Sequence, residues 1–172
     1  MTQLTYQAAF DVYHTMFRIL RLRAVLTDKN IHLDAVRIAD YFLAFPYRLS
    51  IVKFRQENRS FRKLPVRYEN LRPYGDRPSD WTLFGRMESI QHAALSTLGV
   101  EEYLDLNSLS DSMVRFTERK LNEPMQERID NKNRDDHELV SALAVLLEEY
   151  PLTGSNGLKQ RSGLMEHRYD AV

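Results

Sequence analysis

Residues 33–49, LDAVRIADYFLAFPYRL, constrain the fold of this chain more than any other stretch. Val36, Ile38, Ala39, Tyr41, Phe42, Leu43, Ala44 and Phe45 fall in one short run that Pro46 stops. Apolar side chains then stand at nearly every helical angle, so a helix here has no face to offer water and must be wrapped by other helices. A bilayer span needs ~20 apolar residues, and this run is shorter and broken by Arg37 and Asp40. No membrane role is expected. The two charges, three residues apart, are expected to pair with each other on the one face that reaches solvent.

The 172 residues suffice for one domain with a real core. With 43% hydrophobic and 28% charged residues, the chain has the composition of an ordinary globular protein. It contains no cysteine, which excludes disulfides, thiolate metal sites and cysteine nucleophiles. MTQLTYQAAFDVYH shows no basic region followed by an apolar core, so a cytoplasmic protein is expected. The net charge of zero hides an asymmetry. Residues 1–77 carry 14 Lys and Arg against 7 Asp and Glu, whereas residues 78–172 carry 10 against 17. Within the basic half, residues 47–77 hold nine basic and three acidic side chains. Such a surface suits a polyanion, an acidic partner or the acidic half of the same chain.

The remaining pattern predicts helices. Tyr6, Phe10, Tyr13, Phe17, Leu20 and Ala24 recur at helical spacing over residues 5–26, with Val12, Met16 and Ile19 as a second row. Arg18, Arg21 and Arg23 are expected at the solvent edge of this helix. Thr27 to Asn30 is a polar break. After Pro46, YRLSIVKF (47–54) resumes an apolar pattern, so residues 1–54 read as a helix-turn-helix-like unit. Residues 55–78 show no apolar period and are punctuated by Pro65, Pro73, Gly75 and Pro78, which predicts a long basic loop.

In residues 79–172, Asp80 is placed to cap a helix from Trp81 to Leu98, with Trp81, Phe84, Met87, Ile90, Ala94 and Leu98 inside and Gly99 as its left-handed stop. Tyr103 to Leu106 and Met113 to Thr117 have the pattern of a small hairpin, or wing. Pro124 opens a polar helix interrupted at 131–136. Asp135 and Glu138 have capping-box spacing for a helix whose Leu139, Leu143, Leu146 and Tyr150 face inward. Pro151 ends it, and the charged tail LKQRSGLMEHRYDAV is expected to lie against something rather than form a core element. The fold class that results is mainly α (α+β), a helical bundle with a winged-helix-like unit and at most a small β-hairpin.

Catalytic motifs are absent. His14, His32, His92, His137 and His167 lack helical metal spacing, and the six glycines form no phosphate-binding loop. Asp135, Asp136, His137 and Glu138 resemble a ligand cluster, but the capping reading accounts for two of them. Glu166 to Asp170 hold acid, base and cation together, and read better as an interaction strip. No cofactor or metal is expected. Two strips are nominated for contact. The first is Arg48, Lys53, Arg55, Arg59, Arg62, Lys63, Arg67, Tyr68 and Arg72, where cations interleaved with Phe61, Tyr68 and Tyr74 suit either phosphates with stacked bases or an acidic protein surface. The second is the tail, where Lys159, Arg161 and Arg168 can pair with partner carboxylates and Met165 and Tyr169 can supply anchors.

DVYHTMFRILRL (11–22), RIADYFLAFPYRL (37–49) and GLKQRSGLMEHRYD (157–170) together resemble the middle component of bacterial ABC-three-component anti-phage defence systems, the group that includes Lamassu, and most closely subtype five. The resemblance implies a non-catalytic accessory subunit with a winged-helix-like unit, bridging an SMC- or Rad50-like ABC ATPase to an effector, frequently a nuclease, with double-stranded DNA as a further contact. It supplies no functional residues to carry over. Two alternatives remain at this level: a stand-alone winged-helix DNA-binding regulator, and a small metal-dependent nuclease using Asp135, Asp136 and His137.

Overall fold

In the computed structural model of the protein, which describes residues 7–75 and 78–165, the apolar run forms the central helix α2 (Leu33–Ala44). His32 opens it by accepting a hydrogen bond on Nδ1 from the Asp34 N–H at 3.1 Å, and Pro46 follows its end. Every residue from Ala35 to Leu43 is buried, because α1 (Val12–Val25), α3 (Asp80–Val100) and α5 (His137–Glu149) all pack around it. The Tyr41 ring lies 5.3 Å from both Phe42 and Phe45 and 5.9 Å from Phe84. The mainly α class is as expected.

α1 is turned differently from its apolar pattern. Tyr13 is 78% exposed, whereas Arg18 and Arg21, expected at the solvent edge, are buried beside Ile19 and Leu22. The reason is electrostatic: each guanidinium has a carboxylate waiting inside, Asp40 for Arg18 and Asp136 for Arg21.

β1 (Asn30–His32) pairs antiparallel with β2 (Met113–Arg115), in the register Asn30 to Arg115, Ile31 to Val114 and His32 to Met113. The expected hairpin lies on the other side of β2. Leu104 bridges Phe116, the Asp105 N–H donates to the Arg115 carbonyl at 2.8 Å, and the Thr117 N–H donates to Tyr103 at 3.1 Å. Residues 106–111 between these limbs form a 3-10 turn that closes at Ser112 in the left-handed region. The polar break expected at Thr27 to Asn30 overlaps this strand only at Asn30, and no strand is predicted here, since a three-residue strand shows one apolar side chain and no alternation.

Two boundaries of α3 move for identifiable reasons. Ser79 caps it, accepting from the Thr82 N–H at 3.1 Å, while Asp80 sits in the first turn and turns inward. Gly99 stays helical; a Cβ there would come within 2.6 Å of Leu106 Cδ1, so glycine serves close packing, and the left-handed turn falls to Glu102.

Residues 46–71 are more ordered than a loop. Pro46–Ile51 and Arg59–Leu71 are 3-10 helices, and the second buries Leu64 and Pro65 with Phe61 and Tyr68 half-buried. Side chains three apart eclipse in a 3-10 helix, so a search for a 3.6-residue period does not find this face.

α4 (Glu123–Asp135) runs almost directly into α5, parted by Asp136. No capping box forms, because Asp136 occupies the cap position and its carboxylate makes no cap bond. The four expected inward residues of the next segment, Leu139, Leu143, Leu146 and Tyr150, are buried. Contrary to expectation, the start of the tail belongs to the core: α6 (Leu158–Ser162) buries Leu158 and Lys159, and Leu164 is fully covered. Gly157 permits this return, since a Cβ would collide with the Thr153 carbonyl oxygen. Among the described residues, no helix is long and apolar enough to cross a membrane.

Glu148, near the end of α5, ties the turn before β1 by accepting from the Thr27 hydroxyl at 2.7 Å and the Asp28 N–H at 3.1 Å. Partial burial pushes its carboxyl up, but these bonds and the Thr27 N–H outweigh that and hold it below its ordinary value. A depressed carboxylate contributes stability above the unfolded value of ~4.3, which is lost as pH falls through the lower folded one. Glu148→Gln should therefore lower Tm above about pH 5, where the contribution of the ionised carboxylate is complete, and converge on the wild type as pH falls, which flattens the acid limb of a Tm-against-pH series. An unaltered acid limb would contradict this assignment.

Candidate partner-binding surface

Arg37 and Asp40 do not pair with each other at the surface. Asp40, fully buried, accepts from Arg18 Nε at 2.6 Å, Arg18 Nη2 at 3.3 Å and Gln91 Nε2 at 2.9 Å. Gln91 in turn accepts from Arg37 Nε at 3.0 Å, Arg37 reaches Asp34 at 3.3 Å, and the other Asp34 oxygen meets Lys159 Nζ at 3.2 Å. A polar ladder thus crosses the core from α1 through α2 and α3 to α6. Buried charges need such partners, and this one ladder supplies them for four, Arg18 of α1, Arg37 and Asp40 of α2 and Lys159 of α6, with the neutral Gln91 of α3 between them.

The ladder removes Lys159 from the surface proposed for partners, because it is 8% exposed and paired. Arg161 is also occupied: its Nε donates to the Asn156 carbonyl at 2.9 Å, and its guanidinium lies 5.6 Å from the Tyr150 ring. Arg55 stands 4.3 Å from that same ring and donates to the Glu149 carbonyl. The two nominated strips, far apart in sequence, therefore meet around Tyr150, and the Lys53 N–H donates to the Arg161 carbonyl at 3.0 Å. Met165 is partly buried against the core. Arg168 and Tyr169, with the Glu166 to Asp170 cluster, lie outside the described residues.

Other members of the first strip are neutralised internally. Arg48 pairs with Asp80 at 2.6 Å, and the Tyr41 hydroxyl donates to the same Asp80 oxygen at 2.6 Å. Burial and then the Asp80 carboxylate push the Tyr41 phenol well above its ordinary value. Arg67 pairs with Glu138 at 2.9 Å and Arg72 with Glu69 at 2.8 Å. The rings nominated to stack on bases are turned inward: Phe61 packs 5.8 Å from Phe54, and the Tyr68 hydroxyl donates to Asp136 at 3.2 Å.

Asp136 is correspondingly committed. It accepts from Arg21 Nη2 at 2.8 Å, Lys132 at 3.0 Å and Tyr68. Burial lowers the Arg21 guanidinium from its ordinary value, and the Asp136 carboxylate opposes that. The carboxylate is an internal counter-ion, and its neighbours Asp135 and His137 point to solvent. Among the described residues, no group of three His, Asp or Glu is arranged to hold a metal. An open cleft of about 450 Å³ beside Arg23, Lys29 and Arg119 looks basic. These three cations are spent on the carbonyls of Thr117, Arg23 and Leu26 and on Glu102.

Lys53, Arg59, Arg62 and Lys63 remain exposed, and among the described residues no ion pair engages them. Arg62 donates only to the Phe54 carbonyl. Beyond them the 3-10 helix and its exit expose what the charge pattern had concealed: Val66 at 75%, Leu71 at 55%, and Tyr74 entirely. Two open clefts of about 240 Å³ each flank Arg72, one beside Tyr47 and Asp80, the other beside Glu69 and Tyr74. A cationic end followed by an apolar end is suited to recognition of another surface rather than to bond-making chemistry.

In a comparison with known proteins, the family model described as ABC-three component (ABC-3C) system Middle Component 5 matches residues 4–170. Neither a curated protein nor a solved structure matches the chain.

Proposed function

The chain belongs to the family of ABC-three-component system middle components of type 5, and from that premise we propose that it is a non-catalytic, cytoplasmic subunit bridging an SMC- or Rad50-like ABC ATPase to an effector in anti-phage defence. The observation that carries this reading is the match over 4–170, nearly the whole chain. The ATPase senses aberrant DNA and changes shape with ATP, and this subunit holds the effector inactive until that change.

The order α1, β1, α2, α3, hairpin supports the winged-helix-like unit that the family implies, with residues 46–78 inserted between α2 and α3. As a DNA reader, α3 is poorly equipped. Trp81, Gly85, Ser89, Ala93 and Ser96 are exposed along it, and Arg86 is the one Lys or Arg it carries. Duplex binding needs several cations facing phosphates. Any DNA contact in this reading falls instead on Lys53, Arg59, Arg62 and Lys63.

The test is co-purification of the tagged chain from cells expressing the complete system. Both the ATPase and the effector should be recovered with it, and deletion of this chain should separate the other two. Association of ATPase and effector at the same yield without it would overturn the bridging role.

A further inference from the structure

We propose that the outer face of the 3-10 helix Arg59–Leu71, extended to Lys53 and Tyr74, is a docking strip for an acidic protein segment that carries apolar side chains at one end. The proposal rests on the bridging reading and specifies the chemistry of one of its contacts. Lys53, Arg59, Arg62 and Lys63 stand at one end without internal counter-ions among the described residues, and Val66, Leu71 and Tyr74 stand exposed at the other.

The arrangement discriminates between protein and nucleic acid. A single strand would need successive rings to stack on, and with Phe61 and Tyr68 packed inward on Phe54 and Asp136 the strip offers one exposed ring, Tyr74, at its apolar end rather than among the cations. A duplex would set phosphates against Val66 and Leu71, which offer them no donor. Protein interfaces, in contrast, combine an apolar centre with charged margins. Carboxylates on the occupant would complement the four cations, and its apolar residues would cover Val66 and enter the clefts beside Arg72 and Tyr74.

The strip also limits the size of the occupant. At a rise of ~2.0 Å per residue, Arg59 to Leu71 spans about 24 Å. About four and a half turns of α-helix, or about seven extended residues, match that length. A full interface buries ~800 Å² per partner, so the contact is that of a peptide-sized segment rather than a whole domain face.

Two double variants of the full-length chain, each co-expressed with the ATPase and effector of its own system, test this. Val66→Asp with Tyr74→Ala attacks the apolar end, and Arg59→Glu with Lys63→Glu attacks the charged end. All four side chains are exposed, and unchanged thermal unfolding checks that each variant folds. Either pair should lower recovery of one and the same component by about tenfold or more while the other component is retained. The wild-type contact should weaken as salt is raised.

Binding to a DNA duplex of about 30 base pairs, a length offering many more phosphates than four cations can engage, is measured in parallel. The strip is a nucleic-acid surface, and the proposal fails, if the charge pair abolishes duplex binding while both components still co-purify. Equal recovery of both components by wild type and the Val66–Tyr74 variant also overturns it, with bridging intact. Recovery of neither component by the wild type would overturn bridging and docking together. A change confined to self-association would make the strip a contact between copies of this chain, against the proposal.

Discussion

Asp40→Ala should destabilise the protein by about 3–5 kcal/mol, because it leaves Arg18 buried and charged with no carboxylate to face. Asp40 is fully buried and receives three hydrogen bonds, two from Arg18 and one from Gln91. Arg18 would keep only the Thr15 hydroxyl and the Ala8 carbonyl. For a chain of this size the loss corresponds to a fall in Tm of roughly 6–20 °C. Asp40→Asn keeps the shape and one acceptor, so it should cost less. Urea unfolding of the wild type and both variants checks the order, and an Asp40→Ala midpoint within experimental error of wild type would show that the ladder is not a structural requirement. Combining it with Arg18→Ala should be markedly less than additive, since the second change removes the stranded charge.

Asp136→Ala is the second large effect, expected at about 3 kcal/mol, and it separates two readings of the same residue. If Asp136 were a metal-binding catalyst, its removal would abolish an activity in a protein that folds as well as before. Its place between Arg21, Lys132 and Tyr68 predicts the opposite, a protein that unfolds more easily because Arg21 is stranded in the interior. A spectroscopic reporter accompanies the loss. Burial, then the Asp136 carboxylate, pushes the Tyr68 phenol up to about 12. With a folded value above the unfolded ~10, protonated Tyr68 contributes stability that is complete below about pH 10 and lost as pH climbs through about 12. In Asp136→Ala the phenol should titrate closer to its ordinary value, read by ultraviolet difference absorbance. Unchanged stability together with an unmoved tyrosine titration would contradict the counter-ion role.

Both residues show what could and could not be read along the chain. An apolar run with two charges in it announces a buried helix, but whether those charges meet each other or residues elsewhere depends on what is packed alongside. Arg37 and Asp40 pair through Gln91 rather than at the surface because α3 lies against α2. Arg18 and Arg21 were read as the edge of α1 because arginine usually marks solvent, and nothing local announces a carboxylate 22 or 115 residues away. The hairpin at 103–117 was legible from alternation in its second limb. Its third partner, Asn30–His32, was too short to carry a pattern.

The basic strip was legible as charge and illegible as geometry. Nine cations and aromatics were nominated there, and the fold spends Arg48, Arg67 and Arg72 on carboxylates, holds Arg55 against Tyr150, and turns Tyr68 inward. Val66, Leu71 and Tyr74 gave no signal of exposure, because an isolated apolar residue in a polar stretch is indistinguishable from a core anchor until the helix is placed.

The helical class, the central helix with its stop at Pro46, the inward face of α5 and the family were all legible along the chain, because each rests on short-range periodicity, backbone restriction or residue identity. Which charges become internal counter-ions and which stay exposed without one followed from the packing of the helices. Electrostatic pairing acts through space between residues far apart in the chain, so the free cations emerge by subtraction once every buried carboxylate has been assigned.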